Sequence, residues 1–293
     1  MAGQGVQAVS SAAIRARSTT QQRIMQAVNQ VPFYLLVTFL LIIFMFVFFW
    51  MVLTSFKLPR DVTVYPPLLV FEPTLQNYQN VLEKTPFMQQ LGNSIIIALG
   101  SVGLGMVLGL PAAYAMARFK LPGLSLAILV MRMIPTIVFM LPLFVAYQQM
   151  GLIDTHIGLI LSHLILTLPL TVWVMISFFE DVPPEVEQSA MVDGCSRFGV
   201  FWRIAVPLSL PGMVVTSILA FIQSWNNFIF VLILGGSRTT TLPLAVFNFM
   251  GFEMLDFGGV AAVATMLSLP VMVLTIIVQR WLVQGLTLGA VKS

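Results

Sequence analysis

The stretch whose reading decides the fold is Glu180-Asp-Val-Pro-Pro-Glu-Val-Glu-Gln-Ser-Ala-Met-Val-Asp-Gly-Cys-Ser-Arg-Phe-Gly-Val-Phe-Trp-Arg-Ile-Ala-Val-Pro207. It is a polar interruption between two apolar runs, 157–179 and 208–234. Either run is long enough for a helical crossing of a bilayer, for which about 20 apolar residues suffice. The loop's own chemistry predicts a short helix, a break and a second helix. Asp181 suits a cap, Pro183 and Pro184 suit a first turn, and Glu185 and Glu187 complement the positive end of the helix dipole. The first helix should end near Gly194, because glycine enters the left-handed region without a Cβ clash. Ser196 can cap the second helix, which would expose Phe198, Phe201 and Trp202 before Pro207. An amphipathic pair of helices of this kind is a natural docking knob.

Working outward, 58% of the residues are hydrophobic and only 9% are charged. A soluble chain could not hide that much apolar surface, whereas lipid solvates it, and long runs without alternation argue against a membrane β-barrel. The expected architecture is all-α with six crossings at about 33–56, 91–117, 124–148, 157–179, 208–234 and 259–282. The parts are a tail over 1–32, one transmembrane domain over 33–282 and a tail over 283–293. The proline-rich segment 57–90 lies outside the hydrocarbon, and the first run is too long for a signal-peptide core. Within the second crossing, Gly105 and Gly109 have the spacing of close helix packing.

Counting Lys and Arg on alternate sides tests this topology. Arg15, Arg17, Arg23, Arg118, Lys120, Arg197, Arg203, Arg280 and Lys292 fall on the side of the N-terminus, against Lys57, Arg60, Lys84 and Arg238 on the other. The asymmetry places both termini and the 180–207 loop in the cytoplasm. Cys195 is the only cysteine, which excludes an intrachain disulfide or a cysteine-based metal cluster built from this chain alone. A net charge of +3 gives no reason to propose nucleic acid.

The 180–207 loop resembles the signature of bacterial ATP-binding-cassette importer permeases: Glu-Ala-Ala, three residues, Gly, nine residues, Ile-x-Leu-Pro. Ala190, Gly194, Ile204 and Pro207 fall on that pattern, and Asp193 is a frequent choice before the glycine. Gln188, Ser189 and Val206 depart from it, and Glu187 stands one residue early. The resemblance is closest to the maltose-type carbohydrate branch. It extends to Thr74-Leu-Gln-Asn-Tyr78, Ala112-Ala-Tyr-Ala-Met-Ala-Arg-Phe-Lys-Leu-Pro-Gly123, Trp225-Asn-Asn-Phe228 and Gly285-Leu-Thr-Leu-Gly-Ala-Val-Lys292.

What the resemblance implies is a multi-pass subunit of the bacterial plasma (inner) membrane with a five-helix core, its first helix accessory. Its partners would be a second, homologous but different permease, two cytoplasmic ATP-binding subunits and an external solute-binding protein. The complex would import a sugar or oligosaccharide by alternating access, with ATP and Mg on the partner subunits and no cofactor here. Glu187, Gln188, Ser189, Ala190, Asp193, Gly194, Phe198, Ile204 and Pro207 would then form the ATPase-coupling loop.

Absences agree with that division of labour: no Gly-Lys dipeptide, hence no P-loop, and no His-Glu-x-x-His motif. The chain should not be an enzyme. A rival reading, an ion-coupled secondary transporter, commonly keeps an acidic residue near the midplane. Here all Asp and Glu fall in loops or near crossing ends. Arg132 is the one charge inside a crossing, about eight residues or roughly 12 Å from the end of helix three. It either lines a solute path or snorkels. Gln223, Asn226 and Asn227 beside Trp225 suit sugar hydroxyls, since amides donate and accept while an aromatic face covers C–H surface. His163 joins them as a candidate for the path, with Thr167 one turn away. Hydrogen bonding between helices is the alternative for all of these.

Overall fold

The structure, a computed structural model, describes residues 30–248 and 256–290. Arg15, Arg17, Arg23 and Lys292, and the Arg280 side chain, lie outside what is described, as does most of the expected N-terminal tail. Every described element is a helix or turn. Contacts divide the chain into two units, Met1–Leu53 and Thr54–Ser293.

The first unit's described residues, 30–53, all lie in helix α1, which runs Gln30–Ser55. Its side chains from Phe39 to Phe49 stand exposed, as expected where lipid, rather than protein, is the solvent.

The second unit contains α2 (Pro59–Val62), α3 (Gln76–Lys84), α4 (Phe87–Phe119), α5 (Pro122–Met133) and, after a 3-10 turn at Thr136–Phe139, α6 (Met140–Met150). Then come α7 (His156–Glu180), α8 (Pro184–Val192), α9 (Arg197–Val200), a π-turn at Phe201–Ala205 and α10 (Val206–Leu208). The chain closes with α11 (Leu210–Trp225), α12 (Ile229–Leu234), α13 (Leu242–Asn248) and α14 (Phe257–Ala290). Four helices, α1, α4, α7 and α14, are each long and apolar enough to cross a bilayer. Counting each of two bent pairs, Pro122–Met133 with Thr136–Met150 and Arg197–Leu208 with Leu210–Trp225, as one span gives up to six by length and composition.

The bends are where the structure departs from the sequence expectation. The run 124–148 is not one helix: the segments Pro122–Met133 and Thr136–Met150 meet at 92°. Pro135 lacks an N–H, and Ile134 before it is extended (φ −71°, ψ 121°), the conformation a following proline favours. The run 208–234 is likewise broken, since α11 ends at Trp225 and α12 begins only at Ile229. A further bend of 75° separates Arg197–Leu208 from Leu210–Trp225. Pro207 and Pro211 flank it, each removing one backbone donor. α14 also continues to Ala290, past the end expected at 282.

The core is built on α4 and α7, which pack along their length. Gly105 faces the Thr167 and Thr171 hydroxyls across this contact, and Gly109 faces Thr171, so small residues here do bring two backbones together. Beneath α3, the Asn77 Nδ2 donates to the Ser55 carbonyl at 2.9 Å and the Lys57 carbonyl at 2.8 Å. Tyr78 reaches Ser55 Oγ at 2.7 Å. Two residues of the 74–78 stretch thus fasten the 54–58 segment to α3.

Just before α7, Asp154 locks the 235–241 loop. Its Oδ1 accepts from the Thr239 N–H at 3.0 Å and hydroxyl at 2.8 Å, and its Oδ2 from the Arg238 N–H at 3.3 Å. Burial pushes this carboxyl up, but the donors of Thr239 and Arg238 outweigh burial and hold it below the usual carboxylate range. A depressed carboxyl contributes stability that is fully present above its unfolded value, about 3.9, and is lost as pH falls through the folded value. The thermal midpoint of the native chain should therefore exceed that of Asp154→Asn by a constant margin at neutral pH. Scans from pH 7 down to pH 3 should show the margin shrinking below about pH 4. A margin independent of pH would exclude the charge as its source.

Candidate functional site

Two places gather the residues that the sequence singles out. The first is the 180–207 loop, which forms two helices joined by a glycine turn. Pro183, not Asp181, occupies the N-cap position of α8; Asp181 instead closes α7. The Gly194 N–H donates to the Met191 carbonyl at 3.1 Å and the Cys195 N–H to the Ala190 carbonyl at 2.9 Å. This is the paired Schellman pattern, and Gly194 takes φ +91° within it. Ser196 caps α9, its Oγ accepting from the Gly199 N–H at 3.1 Å.

Phe198 and Trp202 are exposed, at 72% and 49%, whereas Phe201 is buried, correcting its expected exposure. Its ring lies 5.0 Å from that of Tyr114 on α4 and 6.2 Å from that of Phe179 on α7. Gln188, Ser189, Asp193 and Pro207 are exposed, and Ala190 and Ile204 are half-buried.

Glu187 behaves differently from its neighbours. It is buried, and Arg118 at the end of α4 grips it: Nε lies 3.0 and 2.9 Å from the two carboxylate oxygens and Nη2 lies 2.6 Å from Oε1. The same Nη2 donates to the Val182 carbonyl at 3.0 Å, and the Tyr114 hydroxyl donates to Glu187 Oε2 at 2.9 Å. Sequence reasoning missed Tyr114 and Arg118 as partners. Arg118 shares a side with the loop in the charge count, but no spacing rule links residues so far apart in the chain. Beside this group lies a cavity of about 450 Å³ lined by Pro111, Tyr114, Gln188, Met191, Arg197 and Phe198 among others.

The second place lies where two broken spans meet. Arg132, in the last turn of α5, lines an open cavity of about 630 Å³ together with Thr136, Gln223, Asn226 and Asn227, walled by Leu166 and Leu170 of α7 and by Leu219 and Ile222 of α11. The breaks put them there: the Pro135 corner carries Thr136 beside Arg132, and the end of α11 at Trp225 frees the two asparagines from the helix. No ion pair among the described residues includes Arg132.

Two of the expected path residues are elsewhere. Trp225 is 2% exposed, and its Nε1 donates to the Leu267 carbonyl at 3.2 Å. His163 is 1% exposed, with Nδ1 2.7 Å from Ser224 Oγ, which also meets Ser101 Oγ at 3.0 Å. Thr167 is buried as well and donates to the Ser101 carbonyl at 3.3 Å. These three side chains join α4, α7, α11 and α14 rather than line the cavity.

Comparison with known proteins identifies the family of the chain. A family described as "Binding-protein-dependent transport system inner membrane component" matches residues 102–288. The probable ABC transporter permease protein y4oR of Sinorhizobium fredii is 39% identical over 252 residues, 85% of this chain and 91% of the relative. The trehalose transport system permease protein SugB of Mycobacterium tuberculosis is 36% identical over 250 residues, 83% of this chain and 91% of the relative. The trehalose/maltose transport system permease protein MalG of Thermococcus litoralis is 33% identical, with 86% and 93% covered. Among solved structures, a bacterial ABC transporter involved in the import of alginate superposes with a TM-score of 0.69 at 20% identity, over 89% of this chain and 97% of the other. That likeness concerns the fold. Taken with the helical core and the 180–207 loop, the match over most of the chain shows that it belongs to the binding-protein-dependent transport system inner membrane component family.

Proposed function

We propose that this chain is one of two permease subunits of an ATP-driven importer that moves a sugar or oligosaccharide into the cytoplasm by alternating access. The observation that carries the reading is the cavity where α5 and α11 are interrupted. Its amide and hydroxyl groups (Gln223, Asn226, Asn227, Thr136) can exchange hydrogen bonds with a polyhydroxylated solute, while Arg132 adds a donor fork and the leucine walls offer apolar surface to its C–H groups. Curated relatives named for trehalose or maltose transport support a saccharide as cargo.

In this reading the loop end of the bundle and both termini face the cytoplasm, in a bacterial inner membrane. The exposed face formed by Gln188, Ser189, Phe198 and Trp202 docks against ATP-binding subunits, which hold ATP and Mg. The second permease is a homologous chain, and an external solute-binding protein delivers the cargo.

The test is uptake of radiolabelled maltose, trehalose and longer saccharides into proteoliposomes carrying the complex purified through this chain. Uptake that requires internal-face ATP and ignores proton and sodium ionophores is expected. Replacing Gln223 and Asn227 together by alanine should lower it about tenfold, the loss of two hydrogen bonds to solute. Uptake driven by an ion gradient without ATP would overturn the reading.

A further inference from the structure

The helix α8 has nine residues, and the one buried side chain among them is that of Glu187. No buried apolar side chain anchors it to the bundle, so its seat depends on what Glu187 meets. That partner is the guanidinium of Arg118, whose Nε and Nη2 both engage the carboxylate while Nη2 also holds the Val182 carbonyl just before α8. Tyr114, one turn back on α4, supplies a further donor. Its ring lies 5.5 Å from that of Phe179 and 5.0 Å from that of Phe201, so the π-turn that follows α9 rests on the same residue. The ion pair is largely shielded, with the two side chains 17% and 7% exposed. Shielding strengthens such a contact, and the two-pronged geometry restricts its direction as well as its distance.

We propose that Arg118 and Tyr114 lock the coupling helix to α4 through Glu187, so that the 180–207 loop and the α4 span move as one body. The inference rests on the reading of this loop as the docking element for the ATP-binding subunits. In it, Glu187 is a positioning residue that works inside the chain, and the docking contacts are left to exposed neighbours such as Gln188 and Ser189. A push on α8 is then delivered to α4, and through the Gly105 and Gly109 contact to α7.

The test measures the distance between spin labels at Val107→Cys on α4 and Val192→Cys at the end of α8, both well exposed, on a Cys195→Ser background. It uses the whole purified complex, nucleotide-free and trapped with ATP and vanadate. A locked pair gives one narrow distance, the same in both states. Glu187→Gln and Arg118→Gln should each broaden it and let the two states diverge by roughly a helical turn, about 5 Å, with Tyr114→Phe doing so less. A charge-reversed pair, Arg118→Glu with Glu187→Arg, should narrow it again.

If the wild-type distance changes between states by a helical turn, the lock is overturned. It is also overturned if Glu187→Gln lowers thermal stability but leaves both distances narrow and equal, or if Glu187→Gln releases the ATP-binding subunits while Arg118→Gln retains them. Absence of ATP-dependent uptake by the wild-type complex would instead overturn the importer reading, with the distances still deciding the lock.

Discussion

Valine at position 194 is expected to leave the chain inserted in the membrane and to lower solute-stimulated ATP hydrolysis by the reconstituted complex at least tenfold. Gly194 sits at φ +91° with open space around its α-carbon, so the substitution meets no neighbour. The whole penalty is conformational. A β-branched residue in that region costs on the order of 1–3 kcal/mol, and the chain can relieve it by unwinding the turn. Relief would break the bonds from Gly194 to the Met191 carbonyl and from Cys195 to the Ala190 carbonyl, which fix the angle between α8 and α9. The turn is at the surface, so the packed core and membrane insertion should be untouched. Gly194→Asn is the control, since asparagine tolerates the left-handed region and should keep most of the coupling. Wild-type stimulation in the valine variant would show that the turn does not transmit.

The second large effect is expected within the bundle, at Gly109→Val. A Cβ built there would stand 2.7 Å from Thr171 Cγ2 and 3.2 Å from its Cβ. Thr171 is fully buried and β-branched, so it has few rotamers to retreat into, and α4 must move away from α7. Overpacking of this kind costs about 1–3 kcal/mol at a single site, and here it separates the two helices that carry the core. The expected result is a strong loss of monodisperse protein in detergent and a lower thermal midpoint. Gly103 on the same helix has nothing within 4 Å, so Gly103→Val should match the native chain in both assays. Equal behaviour of the two variants would mean that the α4–α7 contact is not close enough to matter.

Much of this molecule is legible in the residue order because lipid imposes a simple rule. Every backbone donor in hydrocarbon must be satisfied within its own helix, so a long apolar run has one regular solution. The same locality makes the docking loop readable: Pro184 at a first turn, Gly194 past a last turn and Ser196 at a cap act within four residues of themselves. Asp181 does not cap α8, because Pro183 and Pro184 start that helix two residues later.

The breaks were harder to see. Ile134–Pro135 and Asn226–Asn227 are short polar or proline interruptions inside long apolar stretches, and a proline within a membrane helix need not break it: Pro111, Pro169 and Pro270 lie inside α4, α7 and α14. Whether a helix absorbs its proline depends on what neighbouring helices offer the freed backbone groups. The candidate cavity follows from those breaks, so Arg132, Gln223, Asn226 and Asn227 could be nominated one by one but not assembled. His163 and Trp225 have the same chemistry on paper, yet they turn to Ser224 and to the Leu267 carbonyl.

The 180–207 stretch shows both sides of this division. Its shape, a helix, a glycine turn and a second helix, is a property of local backbone chemistry and was determined by the residues alone. The direction in which Glu187 points was decided only by tertiary structure, because its partner lies across the fold on α4. A buried carboxylate is tolerable only where a cation and further donors meet it, and the packing of α4 against α7 brings Arg118 and Tyr114 to that place.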